Sequence, residues 1–216
     1  MGFIEGLYQE VAQALRKLEV IPVLPPNISP QNAVIDLLKI ALKNEIEASQ
    51  LAAFWMPSTA ELDVKLGLAR QCGDEAKHYR LIENRLLDLG VNLENFSPLA
   101  TGFSPLYQWL TTLETTVERV AAGPFAREAI AIKRNSQLIA VLDAMGDKTS
   151  ADLYRNQIQP DEEWHHKFGL EILRKYAITP ELQQKAFSAT LHTINLADEL
   201  RSAAMSKTGA CVVPGC

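Results

Sequence analysis

The sequence predicts an all-α fold: four long helices in a bundle, a crossover between the second and third, and an extra helix at each end. Three observations carry this. No stretch shows sustained apolar–polar alternation bounded by turn residues, so strand signals are missing. Prolines and glycines cut the chain into long segments of helical periodicity. Those segments form two pairs with short turns, separated by one long connection.

The elements follow in order. A short helix is expected over Ile4 to Leu18, after which VIPVLPPNISP (20–30) breaks regular structure with four prolines. Ser29 and Pro30 form a helix start, an N-cap followed by a proline at the first helical position. The first long helix runs from there to about Met56, and Pro57-Ser58-Thr59 is a turn. The second runs from about Ala60 to Leu89, where Gly90 stops it. Residues Val91 to Ser104 are too long for a tight hairpin and form the crossover. The third runs from Pro105 to about Ala144, interrupted at Gly123-Pro124, with a turn at Met145-Gly146-Asp147. The fourth runs from about Ser150 to Tyr176 with Pro160 near its middle, and Pro180 opens a last helix to about Ser206. The expectation is a single domain over residues 1–206, with a bundle core of about 30–176 and a short flexible tail, 207–216, holding Cys211 and Cys216.

Composition excludes several classes. With 21 Lys+Arg against 26 Asp+Glu and no basic run, a phosphate-tracking nucleic-acid binder is disfavoured. No apolar stretch reaches the length of a membrane span, and MGFIEGLYQE reads neither as a signal peptide nor as a myristoylation site. Three cysteines are too few to staple such a domain, so a reduced, cytoplasmic setting is expected.

The chemistry lies in carboxylates on the wrong face. The first long helix has the apolar stripe Val34, Leu38, Ala41, Ala48, Ala52, Trp55, and Glu45 falls in its middle. Glu47 lies off the stripe and is expected to be solvated. The second helix places Glu75 and His78 among Leu68, Cys72, Ile82 and Leu86. The fourth places Glu162 and His165 among Ile158, Gly169, Ile172 and Tyr176, and the third sets Glu128 among Ala121, Phe125 and Ile132. A Glu and a His three apart project from one helix face. The strings match as well: Asp74-Glu75-Ala76-Lys77-His78 aligns with Asp161-Glu162-Glu163-Trp164-His165, and Glu45-x-x-Ala48 with Glu128-x-x-Ala131. Buried carboxylates are costly unless paired, protonated or bound to a cation.

The heights agree. Glu45 and Glu75 are each 15 residues from position 60, and Glu128 and Glu162 are each 17 from Met145. Each hairpin therefore holds its two acids level, ~22–26 Å from its turn. Four carboxylates and two imidazoles then converge in one core. Two divalent metals would neutralise the four acids, and the Glu/His mix suits iron or manganese better than zinc or calcium.

Glu, Glu-x-x-His, Glu, Glu-x-x-His on successive helices resembles the ferritin-like di-iron carboxylate superfamily: ferritins, rubrerythrins and the bacterial di-iron oxygenases. The resemblance covers about Gln31 to Tyr176. It implies a ferritin-like four-helix bundle holding two Fe ions, or Mn in their place. Glu45 and Glu128 would be single-carboxylate ligands, Glu75 and Glu162 bridging ligands, and His78 and His165 would each cap one metal. It implies a non-haem oxidoreductase activating dioxygen or peroxide; an oxygenase would need a partner reductase, because no flavin or nucleotide motif is visible. A homodimer is one expected assembly. Rubrerythrins add a Cys-x-x-Cys iron domain, and the closing CVVPGC has the wrong spacing for one.

Alternatives stand beside these residues. Glu163 and His166 form an overlapping Glu-x-x-His. Glu114 and Glu118 share the stripe of Glu128, but Glu118 is ten residues away, ~15 Å along the axis. Two rival functions are a ferroxidase-like iron-handling protein and a non-catalytic, partner-binding bundle with a vestigial site.

Overall fold

The computed structural model describes residues 2–17 and 29–208. Its regular elements are all helical, with no strand among the described residues. The proline-rich segment after Lys17 and the tail cysteines lie outside the described residues.

The helices are α1 (Phe3–Lys17), α2 (Pro30–Trp55), α3 (Leu62–Asp88), α4 (Pro105–Leu110), α5 (Thr116–Val120), α6 (Glu128–Ala144), α7 (Lys148–Leu153), α8 (Gln159–Tyr176) and α9 (Pro180–Thr208). No helix among the described residues is long and apolar enough to cross a membrane. Local chemistry sets the boundaries. Ser29 Oγ accepts from Asn32 N–H at the start of α2, ahead of Pro30. Gly90, at φ 81°, ends α3, where Val91 N–H returns to Leu86 O at 3.0 Å.

Two expected boundaries differ. The third long helix does not begin at Pro105. The hydroxyls of Thr111 and Thr112 bond back to Gln108 O and Trp109 O as α4 ends. A new helix begins at Thr116 with a capping box, in which Thr115 and Glu118 bond each other's backbone N–H. Nor does Gly123-Pro124 interrupt the helix. Residues Ala121–Arg127 wind as a π-helix joining α5 to α6. Wider winding lets the chain pass a proline that lacks an N–H and crowds the preceding turn. A second π segment, Tyr154–Ile158, joins α7 to α8 just before Pro160.

α2 packs along α3, and α6 along α8. α8 and α9 both lie against the π segment of residues 121–127, and α1 packs on α9. The apolar core forms two clusters. One includes Leu51, Trp55, Leu68, Phe125 and Leu173; the other includes Leu38, Leu42, Leu86, Leu142 and Tyr154. α2, α3 and α6 each contribute to both. α2 passes from the second cluster to the first, and α3 and α6 the other way; the run from α7 through the π segment 154–158 into α8 also passes from the second to the first. The acids interrupt the stripes between these clusters.

Gly169 marks a close approach of α8 to the π segment's backbone. A Cβ there would stand 2.7 Å from Phe125 N and 2.8 Å from Pro124 C, backbone atoms of the π segment. Only a residue without a side chain lets α8 reach that backbone.

Candidate metal centre

Glu45 comes from the middle of α2, Glu75 and His78 from α3, Glu128 from the first position of α6, and Glu162 and His165 from α8. All six are buried, none more than 4% exposed. Their ligand atoms form two overlapping groups: Glu45, Glu75, His78 and Glu162, and Glu75, Glu128, Glu162 and His165. Within each group the atoms lie within 4.8 Å of one another, a span that suits a metal ion. Glu75 and Glu162 belong to both.

Each histidine turns Nδ1 toward the acids. His78 Nδ1 is 3.3 Å from Glu75 Oε2, 3.4 Å from Glu45 Oε2 and 3.8 Å from Glu162 Oε1. His165 Nδ1 is 3.1 Å from Glu162 Oε2 and 3.6 Å from Glu75 Oε1. The far nitrogens point the opposite way. His78 Nε2 meets Asp161 Oδ2 at 3.2 Å, and His165 Nε2 meets Asp74 Oδ2 at 3.2 Å. A carboxylate only accepts, so each Nε2 carries the proton toward its aspartate, and Nδ1 is the nitrogen free to bind a cation. Asp161 also takes Lys77 at 2.6 Å, and Asp74 takes Arg70 at 3.3 Å.

Glu128 is held by one oxygen. Gln71 Nε2 donates to its Oε1 at 2.8 Å, and Arg127 Nη1 to the same atom at 3.1 Å, leaving Oε2 for a metal. Glu75 Oε1 is buried with no hydrogen-bond partner. A deeply buried carboxylate oxygen without a donor is costly in a purely protein environment and fits a ligand position.

The electrostatics follow from burial. Burial raises the Glu45 carboxyl to about 7, and also pushes up Glu128 and Glu162. Glu75 goes the other way: burial is outweighed by the His78 hydrogen bond and the charges of His165, His78 and Arg127. His78 and His165 are raised despite burial, His78 by Glu45 and Glu75 and His165 by Asp74 and Glu75. In the metal-free protein, protons take the place of cations.

The alternative residues lie elsewhere. Glu163 is exposed. His166 donates from Nδ1 to Phe125 O at 2.8 Å, which holds the ring against the π segment; burial lowers its basicity. Glu118 accepts from Thr115 N–H and Oγ1–H in the capping box, and Glu114 is exposed.

Glu47 corrects the sequence reading. It is buried, and its two oxygens accept from Ser104 N–H at 2.7 Å and Ser104 Oγ–H at 2.6 Å. The incoming connection covers it, which periodicity within α2 cannot report. Lys43 ties down the same connection through Gly102 O at 2.7 Å.

Sequence reasoning also missed Asp74, Asp161, Gln71 and Arg127. The two aspartates had a visible signal, since each stands just before the Glu of a matched Glu-x-x-His string. Gln71 and Arg127 had none. Trp164 touches His165 edge-on at 5.7 Å between ring centres and carries the Arg70 guanidinium 3.6 Å from its own.

Comparison with known proteins gives no match to a family model, a curated protein or a solved structure, so the site is read from its own geometry.

Proposed function

We propose that this chain is a ferritin-like four-helix protein with a dinuclear iron centre, or manganese in the same ligands, and acts as a non-haem oxidoreductase on dioxygen or peroxide. One observation carries the reading. Two four-residue ligand groups overlap through Glu75 and Glu162, and each has its own terminal carboxylate and imidazole. That is the arrangement two bridging and two terminal carboxylates need. The clusters run in opposite order along α2 and α3, and along α6 and the run from α7 into α8, while α3 and α6 share one order; this supports antiparallel pairs joined by a crossover after α3.

When bound, the metals would supply open coordination positions and the redox chemistry that activates the oxidant. The chain supplies the rest. Asp74 and Asp161 fix the tautomer and direction of His165 and His78. Gln71 and Arg127 hold one oxygen of Glu128, so its other oxygen is presented singly. The apolar clusters on either side keep bulk water from the acids and strengthen every charge interaction there. Trp164 links His165 to the half-exposed face of α3 and α8, where a reductase would deliver electrons.

The test is anaerobic reconstitution with Fe(II), metal counting, then admission of air. About two Fe per chain is expected, followed by a ferric absorption band. Folded protein that retains no Fe(II) overturns the reading. Oxidation that proceeds and releases ferric iron without any organic substrate would favour iron handling over oxygenation.

A further inference from the structure

The two halves of the proposed centre do not carry the same charge. No lysine or arginine among the described residues pairs with Glu45; its ionic partner is the His78 imidazole at 3.4 Å. Glu128, the corresponding acid of the other half, sits against a buried cation. Arg127 is 7% exposed, donates from Nη1 to Glu128 Oε1 at 3.1 Å, and is anchored from Nη2 to Asn44 O at 3.3 Å. Gln71 adds a second donor to that oxygen. A guanidinium does not give up its proton in a protein, so this charge stays when a metal arrives. The imidazoles of His78 and His165 can shed theirs.

We infer that the two metal positions are unequal: the Glu45/His78 position fills first and tightly, the Glu128/His165 position is the weaker and exchangeable one, and Arg127 sets the difference. This rests on the dinuclear reading above. Four carboxylates and one guanidinium amount to three negative charges, and two divalent ions bring four positive ones. The first ion leaves the centre negative. The second makes it positive in a water-poor core, where uncompensated charge is costly. The second ion therefore enters only when metal is abundant or a small anion accompanies it. Occupancy of the Glu128/His165 position then acts as a metal-supply control on the centre.

The test uses the full chain and Mn(II), titrated without oxygen, with the free ion read by electron paramagnetic resonance. Wild type should show two classes of site, the second weaker by about tenfold or more, a lower bound for one neighbouring charge even when it is strongly screened. Arg127→Gln keeps a donor for Glu128 but removes the charge, and should tighten the weaker class by about tenfold. Glu128→Gln should abolish the weak class and leave the tight one, whereas Glu45→Gln should abolish the tight one. Two equal sites in wild type overturn the inference. So does an unchanged weak class in folded Arg127→Gln, or loss of the tight class in Glu128→Gln; in each case the dinuclear reading survives. Should Arg127→Gln fail to fold, the Glu45 and Glu128 variants decide by themselves. Folded wild type that binds neither Mn(II) nor Fe(II) overturns the dinuclear reading instead.

Discussion

Asp74 of α3 meets the Nε2 of His165 on α8 at 3.2 Å, and the relation is reciprocated: Asp161 of α8 meets the Nε2 of His78 on α3 at the same distance. Each helix thus orients the imidazole of the other through the residue preceding its own glutamate. Removing such a partner costs about 10–100-fold in metal affinity in sites of this kind. Asp74→Ala and Asp161→Ala are each expected to lose affinity on that scale while staying folded. Isothermal titration with Fe(II) under argon checks it, and unchanged binding in both variants would show that the aspartates are only surface partners of Arg70 and Lys77.

Glu128 and Glu118 give a contrast on one helical run. Glu128→Ala should lose at least one bound metal per chain, because it removes a ligand atom from the second group. Glu118→Ala should keep both metals but lose part of a capping box, at a cost of about 0.5–2 kcal/mol. Metal counting and urea denaturation on the two variants separate these effects. A metal-depleted Glu118→Ala beside an intact Glu128→Ala would reverse the assignment.

Stability of the metal-free protein should fall as pH rises toward neutrality. Glu45 is raised from its ordinary 4.5 to about 7 by burial, so the folded chain holds a proton that the unfolded chain has released. That contribution is full below about 4.5 and is lost as pH rises through about 7. His78 is raised too, so its contribution is full below 6.5 and is lost progressively as pH rises from there toward about 12, in the same sense. Glu75 and Asp74 are lowered, and their contribution is present above their ordinary values and lost as pH falls through the depressed ones, so it acts on the acid side. Bound metal replaces these protons, so its stabilisation should grow with pH. Melting curves with and without Mn(II) should diverge more at about pH 8 than at about pH 6. A metal-induced shift independent of pH contradicts this account.

Gly169→Ala should be destabilising although alanine is the better helix former. Its Cβ would press on the backbone of the π segment at 2.7–2.8 Å, and backbone cannot swing aside. Overpacking of this sort costs about 1–3 kcal/mol. Because that segment immediately precedes Glu128, metal affinity should fall as well. A variant as stable as wild type, read by denaturant midpoint, would mean that the two backbones separate at little cost.

Much of this protein is legible from its sequence because helical periodicity compares a residue with neighbours on its own helix. Glu45, Glu75, Glu128 and Glu162 stand among apolar residues of their own stripes, and counting from the turns sets them level in pairs. The starts of α2 and α9 and the stop at Gly90 are equally local, since caps and prolines act within a turn. What depends on another helix was decided only by the tertiary structure. Glu47 looks solvated until the connection at Ser104 closes over it. The overlapping strings Glu162/His165 and Glu163/His166 are indistinguishable by spacing, yet packing against Phe125 turns His166 away and sends His165 toward the acids. The π segments belong here too. Gly123-Pro124 reads as a break, and the chain winds through it because burial against α8 and α9 outweighs the lost hydrogen bond. A sequence states which groups a helix carries; only packing between helices states which of them meet.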